Sequence, residues 1–347
     1  MRYSKSHIAA FGYELAPVVV TSAELEARLE PLYRALHVAP GQLQALTGIR
    51  ERRWWEPGYP LSQGAITAGK KALAAAGIDA REVGVLIYAG VCREQFEPAT
   101  ACRVAAGLGI GGAAAVYDIS NACLGVLNAV IDIANRIELG QVRAGLVVSC
   151  ESAREINDIM IARMIEERNM GHFATSLATL TGGSGAVALL LTDKSLCRGA
   201  RRRLLGGVAH AAPEHHGLCL WGVHDDGKGR FIQSMRTDAV NVLNYGVELG
   251  RRTWEAFLGE MGWQASQVDR VVCHQVGAAH QEAILKSLGI TEDKDFTTYE
   301  FLGNMGTVSL PLSAALAEER EVLVAGEKVA LLGIGSGLNC LMLGVEW

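Results

Sequence analysis

Tyr117-Asp118-Ile119-Ser120-Asn121-Ala122-Cys123-Leu124-Gly125-Val126-Leu127 joins an apolar strand to an apolar helix through a short turn, and Cys123 stands in that turn. The strand reads from residue 113 to 119. Helical periodicity starts at once, with Leu124, Leu127, Val130, Ile131, Ile133 and Ala134 on one face. A thiol at such a junction faces the positive end of a helix dipole and backbone N–H groups without intrahelical partners. Those surroundings favour the thiolate, which is the nucleophilic form. The stretch therefore predicts a reactive cysteine at the end of a buried strand.

Working outward, residues 83–89 and 145–150 are nearly continuous apolar runs, as strands buried on both faces require. Residues 6–11, 17–20, 181–190, 201–210, 268–275 and 328–337 also read as strands. Helices are predicted over 22–36 (N-capped by Thr21 or Ser22), 62–77, 98–107, 236–262, 278–288 and 309–321. Residues 39–56 read as a turn-rich region. An amphipathic helical excursion over 152–170, within an insertion spanning 152–180, has the character of a wall or lid over a site. Strands alternating with helices give an α/β layered fold. The runs at 83–90 and 268–275 occupy comparable places in two halves, which hints at internal duplication.

The 347 residues are 50% hydrophobic and 20% charged, enough for a large core in two domains or two similar halves. Forty glycines against eight prolines predict many tight strand-to-helix turns. The net charge of −5 excludes a dedicated nucleic-acid binder, which is normally basic. Eight cysteines stand singly with no CxxC pair, so a zinc ribbon and a thioredoxin motif are both excluded and a reducing cytoplasm is expected. The first residues carry no signal-peptide core, and no apolar run reaches the ~18 residues that a membrane span needs. The histidines at 215, 216 and 224 lack metal-ligand spacing, and no metal is expected.

Four motifs accompany the cysteine turn or follow it in order: Asn121-Ala122-Cys123, Cys273-His274-Gln275, Gly303-Asn304-Met305-Gly306 and Gly333-Ile334-Gly335-Ser336-Gly337. With Thr47-Gly48-Ile49-Arg50-Glu51-Arg52 and Gly182-Gly183-Ser184-Gly185-Ala186, they resemble the thiolase superfamily, and within it 3-oxoacyl-ACP synthase III and its relatives. The resemblance implies a five-layer αβαβα sandwich with halves at residues 1–195 and 196–347, and a homodimer. It implies that Cys123 takes an acyl group from a thioester, with His274 and Asn304 completing the site. The N–H groups of Cys123 and Gly337 would form an oxyanion hole. Arg50 and Lys286 are expected to meet the acyl-CoA or an acyl carrier protein, and no cofactor is expected beyond the acyl-CoA and malonyl-ACP substrates.

The chemistry asks for these groups. An oxyanion develops on acylation, and losing one preorganised donor typically costs ~3 kcal/mol. An enolate develops at the extender, and neutral N–H donors suit it. The main expectation is a decarboxylating Claisen condensation of Cys-bound acyl with malonyl-ACP, giving 3-oxoacyl-ACP.

Glu97 opens an alternative. Ordinary synthase III enzymes are apolar there, whereas a glutamate at this place resembles the enzymes of head-to-head hydrocarbon biosynthesis. In that reading Glu97 reaches across the dimer and removes an α-proton from a second acyl-CoA, without decarboxylation. A non-catalytic acyl-binding module and a cysteine hydrolase are further alternatives. The resemblance also fails in places: the usual Trp and Arg before Thr47 are Gln42 and Leu46, and a carrier-binding Arg is Ala279. The basic run Arg198, Arg201, Arg202 and Arg203 reads as a solvated loop face or as a phosphate contact.

Overall fold

Apolar side chains alternate in direction along a strand, so a strand apolar at every position must be covered on both faces. The computed structural model, which describes residues 1–196, 202–225 and 229–347, is built on this rule. In the first half the strands are β1 (His7–Leu15), β2 (Val18–Thr21), β3 (Glu51–Trp54), β4 (Val85–Ala89), β5 (Ala115–Ile119), β6 (Ala144–Glu151) and β7 (Gly185–Thr192). In the second half they are β8 (Arg202–Ala211), β9 (Cys219–Asp225), β10 (Phe231–Thr237), β11 (Arg270–Cys273), β12 (Lys328–Gly335) and β13 (Asn339–Glu346). Nine of them form one continuous sheet in the order β11-β12-β13-β8-β1-β7-β6-β4-β5.

The two halves of that sheet repeat one pattern. β5, β4 and β6 run parallel, and β7 and β1 then follow antiparallel. Correspondingly, β11 and β12 run parallel, and β13 and β8 follow antiparallel. A parallel bridge from Val271 to Asp295 stands where the second half needs its outermost strand. The halves meet through a short pairing of β1 with β8, His7 opposite Arg203 and Ile8 opposite Arg202.

Alternation along the strands divides the core into layers. Val85, Ile87 and Ala89 of β4 and Leu341, Leu343 and Val345 of β13 face a shared interior filled by helices Gly125–Glu138 and Ser309–Glu319. Leu86, Tyr88, Leu146 and Val148 point the other way, onto helices Leu61–Ala76 and Thr100–Leu108. In the second half Val271, Ala330, Leu332 and Met342 point outward onto helices Ala239–Met261 and Ala278–Leu288. With the two halves of the sheet counted as separate layers, the order is helix, sheet, helix, sheet, helix, the five layers expected.

Several boundaries differ from the sequence reading. The helix expected over 22–36 is two, Ser22–Arg28 and Glu30–Leu36, because Pro31 cannot extend a preceding helix and starts a new one. Thr21 caps the first, in a reciprocal box with Glu24. The turn-rich 39–56 region contains helix Gln42–Thr47 and β3. The excursion after β6 breaks at Arg168, in left-handed conformation, into helices Arg154–Glu167 and Met170–Ser176. Ile156, Met160, Ile161 and Met164 pack with Leu25, Leu29, Leu32 and Phe173 in a separate apolar cluster. The β9–β10 hairpin and β13 were not anticipated. Arg198 and Arg201 of the basic run lie outside the described residues. Arg202 and Arg203 pair with Glu318 and Glu346, so these two are structural rather than free for phosphate.

Candidate active site

Parallel strands end at one edge, and the loops that leave them converge there. β5 delivers the turn that carries Cys123. Ala122 is held in left-handed conformation (φ 45°), uncommon without glycine, and it sets Cys123 immediately before helix Gly125–Glu138. Leu124 N–H donates to Asn121 O at 2.9 Å, and Val126 N–H donates to Thr307 Oγ1 at 2.8 Å, tying the helix start to the second half. Strand β12 passes so close that a Cβ at Gly335 would lie 3.3 Å from the Cys123 nitrogen.

β11 delivers His274, whose N–H donates to Leu332 O at 2.9 Å. The adjoining Gln275 is buried and fixes the chain: its Nε2 donates to Cys273 O, and its Oε1 accepts from Thr298 N–H. Asn304 is stitched to the Gly182-Gly183 turn through Asn304 N–H to Thr181 O (2.8 Å) and Gly183 N–H to Asn304 O (2.9 Å). Its side-chain oxygen accepts from Gly306 N–H at 3.0 Å. That leaves the Asn304 amide N–H groups as the donors available to the site.

Cys123, His274 and Asn304 line one cavity of about 420 Å³. Ser336 and Leu338, on either side of Gly337, form part of its wall. Gly337 has φ +139°, and a Cβ there would meet Asn339 Nδ2 at 2.3 Å. Asn339 Nδ2 in turn donates to Asn121 Oδ1 at 3.2 Å, two residues before Cys123. Ala153, Ile156, Ala178 and Thr179 of the excursion line the cavity, so the insertion expected to be a wall is one.

The electrostatics reverse one expectation. Burial pushes the Cys123 thiol up to about 12, and the nearby Cys219 and Glu151 push the same way. The helix begins two residues after the sulfur's own, and desolvation of the anion outweighs the lowering by the backbone N–H of Cys123 itself. The resting group is a thiol. Burial holds His274 down at about 3, and His280 adds to the effect, so its imidazole is neutral. A neutral thiol and a neutral imidazole lining one cavity suit a site where charge appears only as the reaction proceeds.

The remaining expected residues stand outside this cavity. Glu97 is exposed, near the end of the loop between β4 and helix Thr100–Leu108, beside a Phe96 that is 99% exposed. Arg50 is exposed and near Glu51, and Lys286 is exposed on helix Ala278–Leu288.

Other groups in or beside the cavity were not anticipated. Glu151 ends β6 and is buried. Its oxygens accept from Val91 N–H (2.9 Å) and Cys92 N–H (3.0 Å), anchoring the base of the Glu97 loop, and burial raises its carboxyl. In sequence it is only the last residue of an apolar run. Cys219, Leu220, Trp221, Met235 and Thr237 come from the β9–β10 hairpin, for which the Asp-Gly-rich stretch after Asp225 was an available signal. Arg52 is fully buried and donates to Val20 O, Ser22 Oγ and Leu180 O, bracing the wall from behind. His280 lines the same cavity. No group of three metal-ligating side chains occurs among the described residues, and none of their helices is long and apolar enough to cross a membrane.

Comparison with known proteins identifies the family and the fold. The model of the thiolase N-terminal domain matches residues 62–202, and that of the C-terminal part of 3-oxoacyl-[acyl-carrier-protein] synthase III matches residues 258–347. An acyl-CoA:acyl-CoA alkyltransferase of Shewanella oneidensis is 57% identical over all of both chains, and one of Xanthomonas campestris is 34% identical over all of both. A beta-ketoacyl-[acyl-carrier-protein] synthase III of Rhodospirillum rubrum is 31% identical over 96% of this chain and 97% of its own. A solved structure of Xanthomonas campestris OleA, a Cys-to-Ser variant with bound lauric acid and lauroyl-CoA, superposes with TM-score 0.93 at 34% identity, covering 99% of this chain and 100% of that one. Of the two condensations left open by the sequence, these relatives favour the one that joins two acyl-CoAs over the one that uses malonyl-ACP.

Proposed function

The chain belongs to the thiolase-fold condensing enzymes, the family of the acyl-CoA:acyl-CoA alkyltransferases, and from that premise we propose that it condenses two fatty acyl-CoAs without decarboxylation. The observation that carries the proposal is the convergence of Cys123, His274 and Asn304 on one cavity in a chain 57% identical throughout to a named acyl-CoA:acyl-CoA alkyltransferase.

In the first half-reaction Cys123 Sγ attacks the thioester carbon of one acyl-CoA. The oxyanion is held by the N–H groups of Cys123 and Gly337. The C–S bond to CoA breaks, and the thiol proton ends on the departing CoA sulfur. In the second, Glu97 of a neighbouring subunit takes a proton from the α-carbon of a second acyl-CoA. The enolate oxygen is held by N–H donors of His274 and Asn304. Its α-carbon attacks the acyl-Cys123 carbonyl, a C–C bond forms, and Cys123 recovers its proton from Glu97. The product is a 2-alkyl-3-oxoacyl-CoA, no carbon dioxide leaves, and the kinetics are ping-pong. These steps need no cofactor.

Two observations support the role of Glu97. It stands exposed beside an exposed Phe96 on a loop anchored by Glu151, as a group serving a second subunit of a homodimer would. The solved variants of Xanthomonas campestris OleA include substitutions at a glutamate 26 positions before its substituted cysteine, the same separation as between Glu97 and Cys123. Arg50 and Lys286, exposed on the outer surface, are proposed to meet CoA phosphates. The cysteines that stand free support a reducing, cytoplasmic setting.

The test is product analysis with a single acyl-CoA. A 2-alkyl-3-oxoacyl product with twice the acyl carbons, formed without malonyl thioester and without carbon dioxide, is expected. A strict requirement for malonyl-ACP would return the reading to a synthase III, whose C-terminal family model also matches this chain.

A further inference from the structure

A neutral imidazole has one protonated nitrogen and one bare one, and which is which depends on what the far nitrogen meets. His274 Nδ1 is buried and meets no hydrogen-bond partner among the described residues. A buried polar atom left in that state calls for an explanation, commonly a bound water.

A second cavity of about 20 Å³ adjoins His274 beside the acyl cavity. That is room for about one water, which requires on the order of 10–15 Å³ and two to four polar partners. His274, His280 and Ile334 line both cavities and so form the partition between them. The polar residues around the small cavity are His274, His280, Gln281, Cys273 and Cys340. Gln281 is committed at both ends: Nε2 donates to Asp295 Oδ2 (3.0 Å), and Oε1 accepts from Tyr299 OH (3.2 Å). Those bonds hold the first turn of helix Ala278–Leu288 against the end of β11, where Asp295 Oδ1 also accepts from Cys273 N–H (3.2 Å). His280 sits in that turn and makes no hydrogen bond to the described residues, so its ring N–H is uncommitted.

We infer that His280 is a positioning residue: through one bridging water in the small cavity it donates to His274 Nδ1, which fixes the His274 proton on Nε2, facing the acyl cavity. The inference rests on the reading of His274 as the neutral donor to the enolate oxygen, since that role requires the Nε2–H form. Burial keeps His280 itself near 4, so it serves as a neutral donor and adds no cation beside the site. The arrangement parallels metal-site histidines, whose far nitrogen is held by an outer partner worth about 10–100-fold in activity.

The experiment is ring-nitrogen NMR of the full-length protein labelled with 15N-histidine, at neutral pH and without substrate, with His274 assigned by its loss in His274→Asn. In the wild type, Nε2 is protonated and Nδ1 is a bare acceptor. In His280→Leu the His274 proton redistributes onto Nδ1, and kcat falls about 10–100-fold with KM changed less than about threefold. His280→Gln keeps a side-chain N–H and restores both the Nε2–H form and most of kcat. A protonated Nδ1 in the wild type, or an Nε2–H form unchanged in His280→Leu, overturns the inference. Should His280→Leu not fold, the wild-type and His280→Gln spectra decide. The spectra need no substrate, so a protein that shows the expected tautomers but does not join acyl-CoAs would refute the proposed reaction and leave this inference standing.

Discussion

Alkylation of Cys123 by iodoacetamide separates the two physical accounts of the nucleophile. A helix-dipole account makes the free thiol acidic. The buried site instead raises it from 9.0 to about 12. At pH 7 the thiolate fraction is then about one in 10⁵, against about one in 100 for a thiol at its ordinary value. A more basic thiolate is intrinsically more reactive, by about 20-fold for this difference at a Brønsted slope of 0.4–0.5. Net alkylation is therefore about 50-fold slower than for an exposed cysteine, and Cys102, which is exposed, supplies the reference in the same molecule. The rate at Cys123, followed by peptide mass spectrometry, rises about tenfold per pH unit from 7 to 10 without levelling. Acylation by acyl-CoA in the same range is far less pH-dependent, because the oxyanion hole and the leaving CoA sulfur act only as reaction proceeds. A rate at Cys123 that levels off below pH 8 would refute the reasoning and restore the dipole as the dominant influence.

Other consequences follow from particular contacts. Gly337→Ala places a methyl 2.3 Å from Asn339 Nδ2 at φ +139°, so it lowers kcat by about 100-fold or more and stability by about 1–3 kcal/mol, read by steady-state kinetics and urea unfolding. Arg52→Met strips Val20 O, Ser22 Oγ and Leu180 O of a buried donor and lowers unfolding free energy by at least about 3 kcal/mol in the same assay. Acidification destabilises through His274 and His280. Both are neutral in the fold, at about 3 and 4, and each protonates at 6.5 when unfolded. Each costs up to ~1.4 kcal/mol per pH unit below 6.5, a loss that ends near its folded value. Asp295, raised by burial to about 6, works in the opposite sense between 3.8 and 6, so urea midpoints fall more steeply on acidification in Asp295→Asn.

Much of the fold was legible because its signals are local. A strand apolar at every position, such as β4, announces cover on both faces, and the Asn121-Ala122-Cys123 turn announces a strand meeting a helix. Cys123, His274 and Asn304 were each readable as motif members, and their convergence follows from strand ends lying at one edge of the sheet. What was not legible depends on neighbours distant in sequence. Glu151 looks like the polar end of a strand until the Val91 and Cys92 amides arrive from another loop. His280 looks like one more residue of an amphipathic helix until the fold sets it on the same cavity walls as His274. The acidity of Cys123 was misjudged for the same reason. The dipole can be read from eleven residues, whereas burial is contributed by β12, the hairpin and the excursion together. The hairpin itself was overlooked although the stretch after Asp225 is rich in turn residues.

Intact-mass and product analysis of Glu97→Gln beside the wild type, each given lauroyl-CoA alone, tests the central claim most directly. The account predicts that the wild type releases a 2-alkyl-3-oxoacyl product with twice the acyl carbons. The variant instead accumulates one acyl group per chain on Cys123, with condensation lowered about 10²- to 10⁴-fold, the usual worth of a general base. Equal turnover by the two proteins, or a wild type that acylates Cys123 but proceeds only with malonyl-ACP and release of carbon dioxide, would contradict it.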